Sequence, residues 1–211
     1  MQIPFNLTLL VDADIYLYEV GYGAETGWNG MQKELGNEPS IPPFDYVEKL
    51  LLQKLDHLKV TCQTEKPPVL FITEGKTFRF DIAKSRPYKG KRIDKKPWHY
   101  KNLKVYMRDV MGAVVVTGIE ADDAMSIAHT ASEGTTIICS RDKDLKQVPG
   151  WFHSWELGKQ PSFGPAIITQ KGTISLSYKK DKLITTGLMS FYGQLLTGDQ
   201  VDNIPGLPLW G

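Results

Sequence analysis

Four short apolar runs rich in β-branched residues recur along the chain. They are LTLLV at 7–11, VLFI at 69–72, AVVV at 113–116 and TTIIC at 135–139. Apolar runs of this length and composition are typical of strands buried in a sheet. The pattern therefore predicts four buried strands.

Helical periodicity lies between these runs. After the pair Pro42-Pro43, apolar residues recur at intervals of three and four positions, at Phe44, Val47, Leu51, Leu55 and Leu58. This spacing places them on one face of a helix, and residues 121–131 are predicted to form another. Alternating strands and helices are typical of βαβ units. The predicted fold class is α/β, with three αβα layers and a mostly parallel central sheet.

Other segments depart from this alternation. Residues 21–43 combine glycines, alanines and prolines with polar residues, and they are predicted to be a loop or an insertion. Residues 168–185 predict a hairpin or paired short strands. A helix over 188–196 and a turn-rich segment from 197 onward follow.

Length and composition favour one globular domain. The chain has 211 residues and is 41% hydrophobic, which is ample for a packed core. It has no run of about 20 apolar residues and no basic region at its start, so we expect a soluble, cytoplasmic protein without a membrane partner. Cys62 and Cys139 lack metal-ligand spacing and are predicted to be reduced structural thiols.

The net charge of +1 conceals a strongly basic segment. Residues 76–104 carry eleven lysines and arginines against Asp81 and Asp94, so this segment has a charge of +9 and the rest of the chain −8. Such a run is commonly a solvated face. Here it is interleaved with six aromatic side chains, a composition that suits base stacking beside a phosphate backbone: Phe78, Phe80, Tyr88, Trp98, His99 and Tyr100.

Acidic residues follow all four predicted strands. In an open parallel sheet, ligands bind beyond the carboxyl ends of the strands. Crowded carboxylates there repel one another unless hard cations neutralise them. All-oxygen ligands favour magnesium or manganese over zinc, and two such ions can clamp the attacking and leaving oxygens of a phosphodiester. The acids are Asp12, Asp14, Glu74, Glu120, Asp122, Asp123, Asp142 and Asp144.

Simpler explanations exist for several of these acids. Asp142 has the position of an acid in a helical first turn, where it would interact favourably with the helix dipole. Glu120 and Asp123 are spaced to share one helix face and could cap a helix. Asp199 and Asp202 could be ordinary turn residues near Pro205.

Five sequence blocks together resemble the flap endonuclease and 5′→3′ exonuclease family, including phage exonucleases of the T7 type and the nuclease domain of bacterial DNA polymerase I. The blocks occur in the same order over nearly the whole chain. They are VDAD at 11–14, SRPYKGKR at 85–92, GIEADDAMSIA at 118–128, SRDKDLKQ at 140–147 and TGDQVDNIPG at 197–206.

The resemblance implies a phage-encoded, PIN-like nuclease with two Mg²⁺ ions, for which Mn²⁺ would substitute. Its metal ligands would be Asp12, Glu74, Glu120, Asp122, Asp123, Asp142, Asp144, Asp199 and Asp202. Lys89, Arg92 and Asp122 would be catalytic. DNA contacts would come from Arg79, Lys84, Arg86, Tyr88, Lys89, Lys91 and Arg92. The partner would be DNA with a 5′ end or 5′ flap, with an RNA–DNA hybrid as a further substrate, bound by a monomer.

The family architecture implies a nuclease domain over 1–195, with a basic arch or clamp at 76–106. Residues 196–211 would begin a helix-three-turn-helix DNA-binding element, which we expect to be truncated. Glu74 replaces the usual aspartate, and Ala13 the usual glycine. Two alternatives stay open: a PIN-like ribonuclease, which would lack the block at 197–206, and a DNA-binding protein without catalysis.

Overall fold

A six-stranded sheet forms the centre of the computed structural model, which describes residues 4, 6–84, 86–90, 95–178 and 182–208. The strand order is β3-β2-β1-β4-β5-β6, and every neighbouring pair is parallel except β5 and β6. The strands are β1 (Thr8–Asp12), β2 (Val69–Thr77), β3 (Val114–Gly118), β4 (Thr136–Cys139), β5 (Gly150–Ser154) and β6 (Phe163–Ile168).

Helices cover both faces of this sheet because successive strand residues point to opposite sides. On one face, residues such as Leu9 and Ile137 pack in a core with three helices. On the other face, Leu10 and Ile138 pack against Met125 of a single helix. The first three helices are α1 (Ala13–Glu34), α2 (Phe44–Thr61) and α4 (Tyr100–Asp109), and the single helix is α5 (Ala121–Ala131). The predicted αβα layers and the four predicted strands are confirmed.

The prediction of a loop over 21–43 was wrong for its first part, because α1 continues to Glu34. Glycine lowers helix propensity, but tertiary packing can outweigh this local cost. A Cβ on Gly21 would lie 2.4 Å from Cγ of Pro97, and one on Gly27 would lie 2.8 Å from Oη of Tyr46. These two glycines therefore allow other parts of the chain to approach the helix closely.

The C-terminal third contains the predicted hairpin and helix. Strands β7 (Ile174–Leu176) and β8 (Leu183–Thr185) pair antiparallel, and α6 spans Leu188–Thr197. Short strands β9 (Gly198–Asp199) and β10 (Ile204–Pro205) follow. Strands β5 and β6 were not predicted.

The basic segment contains two helices that sequence periodicity did not reveal. They are α3 (Arg79–Ile82) and α4, whose Leu103 and Met107 are buried in the core. The arch assignment of residues 76–106 and the domain boundaries stay predictions.

Cys62 and Cys139 are buried free thiols, as predicted. None of the helices in the described ranges combines the length and apolarity needed to cross a bilayer.

Candidate active site

Asp12 and Asp142 meet at the carboxyl edge of the sheet through one serine hydroxyl. Asp12 ends β1 and is only 6% exposed. Ser140, directly after β4, donates its Oγ hydrogen to Asp12 Oδ2 over 2.9 Å, and the same Oγ accepts the backbone N–H of Asp142 over 2.9 Å. The serine thus links the Asp12 carboxylate to the backbone of Asp142.

Negative charge is costly at this position. Burial, together with the charges of Asp14, Asp142 and Asp122, raises the pKa of Asp12 to about 8, although the bond from Ser140 opposes the rise. Burial and neighbouring acids also raise the pKa of Asp122 to about 6. Burial raises the pKa of Asp142 as well. A divalent cation would relieve this repulsion, and the carboxylate oxygens are the ligands that Mg²⁺ prefers.

The N-terminus of α5 carries three acids with different surroundings. Glu120 and Asp123 form a reciprocal capping box, as the capping explanation predicted, and Asp122 lies outside that box. Arg79 donates two hydrogen bonds to Asp123, over 2.6 and 2.7 Å. Glu120 accepts a 2.6 Å bond from Lys89 Nζ and a 3.1 Å bond from the Tyr88 hydroxyl. Three predicted DNA-binding side chains therefore border the acids directly.

A second acidic group lies at the start of the 3₁₀ helix Asp144–Gln147 and in the turn after α6. Asp144, Asp199 and Asp202 each present an oxygen, and these oxygens all lie within 4.8 Å of one another. Asp199 Oδ1 also accepts the backbone N–H groups of Val201 and Asp202, so the turn interpretation is correct for this residue too. Three carboxylates at this spacing fit a Mg²⁺ or Mn²⁺ ion.

One cleft of about 700 Å³ joins the two acidic groups. Side chains of α6, including Phe191 and Gln194, form part of its wall, and Arg79 belongs to the lining as well. Asp12 is buried and is not part of the lining. The other predicted site residues that line the cleft are Tyr88, Lys89, Glu120, Asp122, Asp123, Asp142, Asp144, Asp199 and Asp202.

Glu74 is separated from this cleft by strand alternation. Its neighbour Thr73 faces α5, where Thr73 Oγ1 accepts the N–H of Ala121 over 2.8 Å. Glu74 therefore projects towards the opposite face, where its carboxylate is 44% exposed and lies 3.9 Å from Lys104 Nζ. Asp14 is not part of the cleft lining either, and its carboxylate accepts the backbone N–H of Thr73.

The remaining predicted DNA contacts are not in the cleft lining or lie outside the described residues. Lys84 and Arg86 are exposed and are not part of the cleft lining. Lys91 and the predicted catalytic residue Arg92 lie outside the described residues.

Sequence reasoning missed the roles of Ser140 and Lys143. Ser140 follows β4 directly, and Lys143 Nζ contacts both Asp144 and Asp199. The available signal was the position of Ser140 at the end of the strand and of Lys143 between two acids in SRDKD. The hydrogen bond from Ser140 to Asp12 and the pairing of Lys143 with Asp199 could not be predicted from that location. The partners are 128 and 56 positions away in the sequence.

Comparison with known proteins supports the fold. No protein-family model matches the chain, and no curated protein sequence does so either. A crystal structure of the bacteriophage T5 flap endonuclease, a pseudo-enzyme–product complex with DNA and metal ions, superposes with a TM-score of 0.55 at 15% identity. The match covers 97% of this chain and 71% of that chain. The fold is flap endonuclease-like.

Proposed function

We propose that this protein is a magnesium-dependent nuclease that hydrolyses DNA phosphodiester bonds at or near 5′ ends. The observation that carries the proposal is the convergence of two acidic groups and two cationic side chains in one cleft. Asp142 and Asp144 bring the two acidic groups together, while Arg79 and Lys89 lie beside the acids of α5. A polyanionic substrate needs such cations to approach a carboxylate-rich site.

The carboxylates would hold two ions in different surroundings. Asp12, Asp122 and Asp142 would provide the buried position, with Glu120 and Asp123 close by. Asp144, Asp199 and Asp202 would provide the more open one. Glu74 would stay outside both positions in this arrangement, because its side chain projects towards the opposite face of the sheet. Bound Mg²⁺ or Mn²⁺ would supply charge stabilisation to the attacking water and to the departing 3′ oxygen.

The chain's own cations would bind and orient the scissile phosphate. Lys89 now pairs with Glu120, and it would transfer its hydrogen bond to the phosphate as negative charge develops there. Arg79 is held by two bonds to Asp123 and would position the neighbouring phosphate. Tyr88, with its ring beside Lys89 Nζ at 4.9 Å, would stack on a terminal base. Arg92 is proposed to assist Lys89.

The proposed substrate is DNA with a 5′ end or a 5′ flap, and an RNA–DNA hybrid is a second substrate class. The T5 neighbour with the same fold was crystallised with DNA and metal ions, which supports DNA rather than another polyanion. Removal of primers or flaps during replication or repair would use this activity.

Cleavage assays on 5′-labelled flap, nicked-duplex and single-stranded DNA, and on matched RNA, would test the proposal. We expect short 5′ products from DNA in Mg²⁺ or Mn²⁺ and none in EDTA. Cleavage confined to single-stranded RNA would instead indicate a PIN-like ribonuclease. Tight binding of flaps without products in either metal would identify a DNA-binding protein that lacks catalysis.

A further inference from the structure

Lys143 bridges two of the three aspartates of the more open acidic group. Its Nζ lies 2.9 Å from Asp144 Oδ1 and 2.6 Å from Asp199 Oδ2. Both aspartates belong to the triad whose oxygens lie within 4.8 Å of one another. The ammonium therefore donates to two of the three carboxylates that a divalent ion would need.

Asp199 and Asp144 are well satisfied in this arrangement. Asp199 accepts from Lys143 through Oδ2 and from two backbone N–H groups through Oδ1. Asp144 Oδ1 accepts from both Lys143 and the amide of Gln194. Burial alone would raise the pKa of Asp199, but these donors, the ammonium first among them, hold it below its ordinary value. This acidic group is already neutralised in part by the chain itself.

The buried group has a different balance. Asp12 accepts its hydrogen bond from the uncharged hydroxyl of Ser140, and the nearby ammonium of Lys89 is bonded to Glu120. A cation held by Asp12, Asp122 and Asp142 therefore need not displace that ammonium. A cation entering at Asp144 and Asp199 must first displace Lys143.

Displacement of Lys143 is mechanically simple. Its side chain is 56% exposed, so the ammonium can move into water without opening the core. Lys143 directly precedes the 3₁₀ helix that begins at Asp144, so a displaced side chain stays beside the site. A charged group on such a short tether competes with a free ion at high effective concentration.

We infer that Lys143 is an internal counter-ion that competes with the second divalent ion, so the two proposed ion positions differ in affinity. This inference rests on the proposed function. The buried group takes its ion first, and the group at Asp144, Asp199 and Asp202 takes its ion only at higher metal concentration. Lys143 therefore sets the metal concentration at which the cleft becomes fully loaded.

Mn²⁺ titration of the DNA-free protein, followed by electron paramagnetic resonance and calorimetry at pH 7.5, tests this order. For the wild type we expect one tight ion and a second that binds at least about tenfold more weakly. Lys143→Gln should tighten the second ion by about fivefold or more, a typical coupling between two sites. Lys143→Arg keeps the charge and should leave the second ion weak.

Lys66→Gln is the matched control, because it removes one exposed lysine next to the opposite end of β2. It should leave both affinities within about twofold of the wild type, and thermal melting of each variant verifies folding. Equal affinity of the second ion in the wild type and Lys143→Gln would overturn the role of Lys143 while leaving the nuclease proposal intact. If neither the wild type nor Lys143→Gln bound any Mn²⁺, both the role of Lys143 and the nuclease proposal would be overturned.

Discussion

The hydroxyl of Ser140 donates a 2.9 Å hydrogen bond to Asp12 while accepting the backbone N–H of Asp142. One atom thus connects the end of β1 with the turn after β4. The two strands are neighbours in the sheet, paired through Val11 and Cys139. Small changes in this connection should therefore alter both carboxylates together.

Ser140→Ala should weaken the site and the fold. Loss of one partner of a buried hydrogen bond costs about 1–3 kcal/mol, and loss of a residue that orients metal ligands typically lowers activity about 10–100-fold. Urea denaturation and cleavage kinetics would measure the two effects. Ser126→Ala is the control, because the bond from its hydroxyl goes to the backbone oxygen of Asp122 and not to a carboxylate. Equal effects of the two substitutions would contradict the role of Ser140.

Asp12→Asn should stabilise the metal-free protein. The pKa of Asp12 rises from 3.8 to about 8 on folding, so its contribution to stability is fully present below pH 3.8 and is lost as the pH rises through 8. Asparagine does not ionise, so the variant keeps its stability as the pH rises to 8. In EDTA at pH 8 we expect a higher Tm, by about 2–4 °C for each kcal/mol gained.

The same substitution should reduce the Tm increase that Mg²⁺ produces in the wild type, because it removes a proposed ligand. Differential scanning calorimetry with EDTA and with Mg²⁺ would measure both changes. An Asp12→Asn protein that melts below the wild type in EDTA at pH 8 would show that Asp12 stabilises the fold as an anion.

Asp122→Asn and Lys89→Ala should separate binding from cleavage. Asp122→Asn is expected to abolish cutting while flap binding persists, because it removes a proposed ligand and one negative charge. Lys89→Ala should lower kcat by about 10²–10³-fold with little change in stability, since its proposed contribution is to the developing charge. Lys66→Ala removes an exposed lysine near the opposite end of β2, to which no DNA contact is assigned, and is the control. Full cleavage by Asp122→Asn would refute the assigned site.

His153 should make stability depend on pH in the acidic range. It is buried, its Nδ1 has no hydrogen-bond partner among the described residues, and burial lowers its pKa below 6.5. Its contribution to stability is therefore present above pH 6.5 and lost as the pH falls below that value. The stability advantage of the wild type over His153→Gln should shrink by up to about 1 kcal/mol between pH 7.5 and 5.5. Urea titrations of the wild type and His153→Gln at the two pH values would measure this change. A stability difference that is the same at both pH values would contradict the role of His153.

Two glycines in α1 should respond oppositely to alanine. Gly30→Ala should stabilise the protein by about 0.5–1 kcal/mol, because its Cβ would meet open space in a helix interior. Gly21→Ala should destabilise it, because the Cβ would approach Pro97 to 2.4 Å. Thermal melts of the two variants would measure this contrast. Stabilisation by both would mean that Pro97 moves aside without cost.

The sequence predicted those parts of the fold that local patterns determine. Buried strands need apolar runs, and the carboxyl ends of parallel strands meet at one edge, so the convergence of Asp12 with Asp142 followed from pattern and topology. The predicted loop at 21–43 was wrong over residues 21–34, where Gly21 and Gly27 are required by Pro97 and Tyr46, which are distant in sequence. The position of Glu74 depends on strand alternation, and a one-residue difference decides which face it occupies.

The order of the acidic residues along the chain has a consequence for synthesis. Asp12 comes from the first strand, whereas Asp199 and Asp202 follow the last helix, and β1 pairs with strands that appear much later. A nascent chain that ends before residue 199 already contains Asp12, Asp142 and Asp144 but lacks Asp199 and Asp202. The more open acidic group is therefore completed later in synthesis than the buried one.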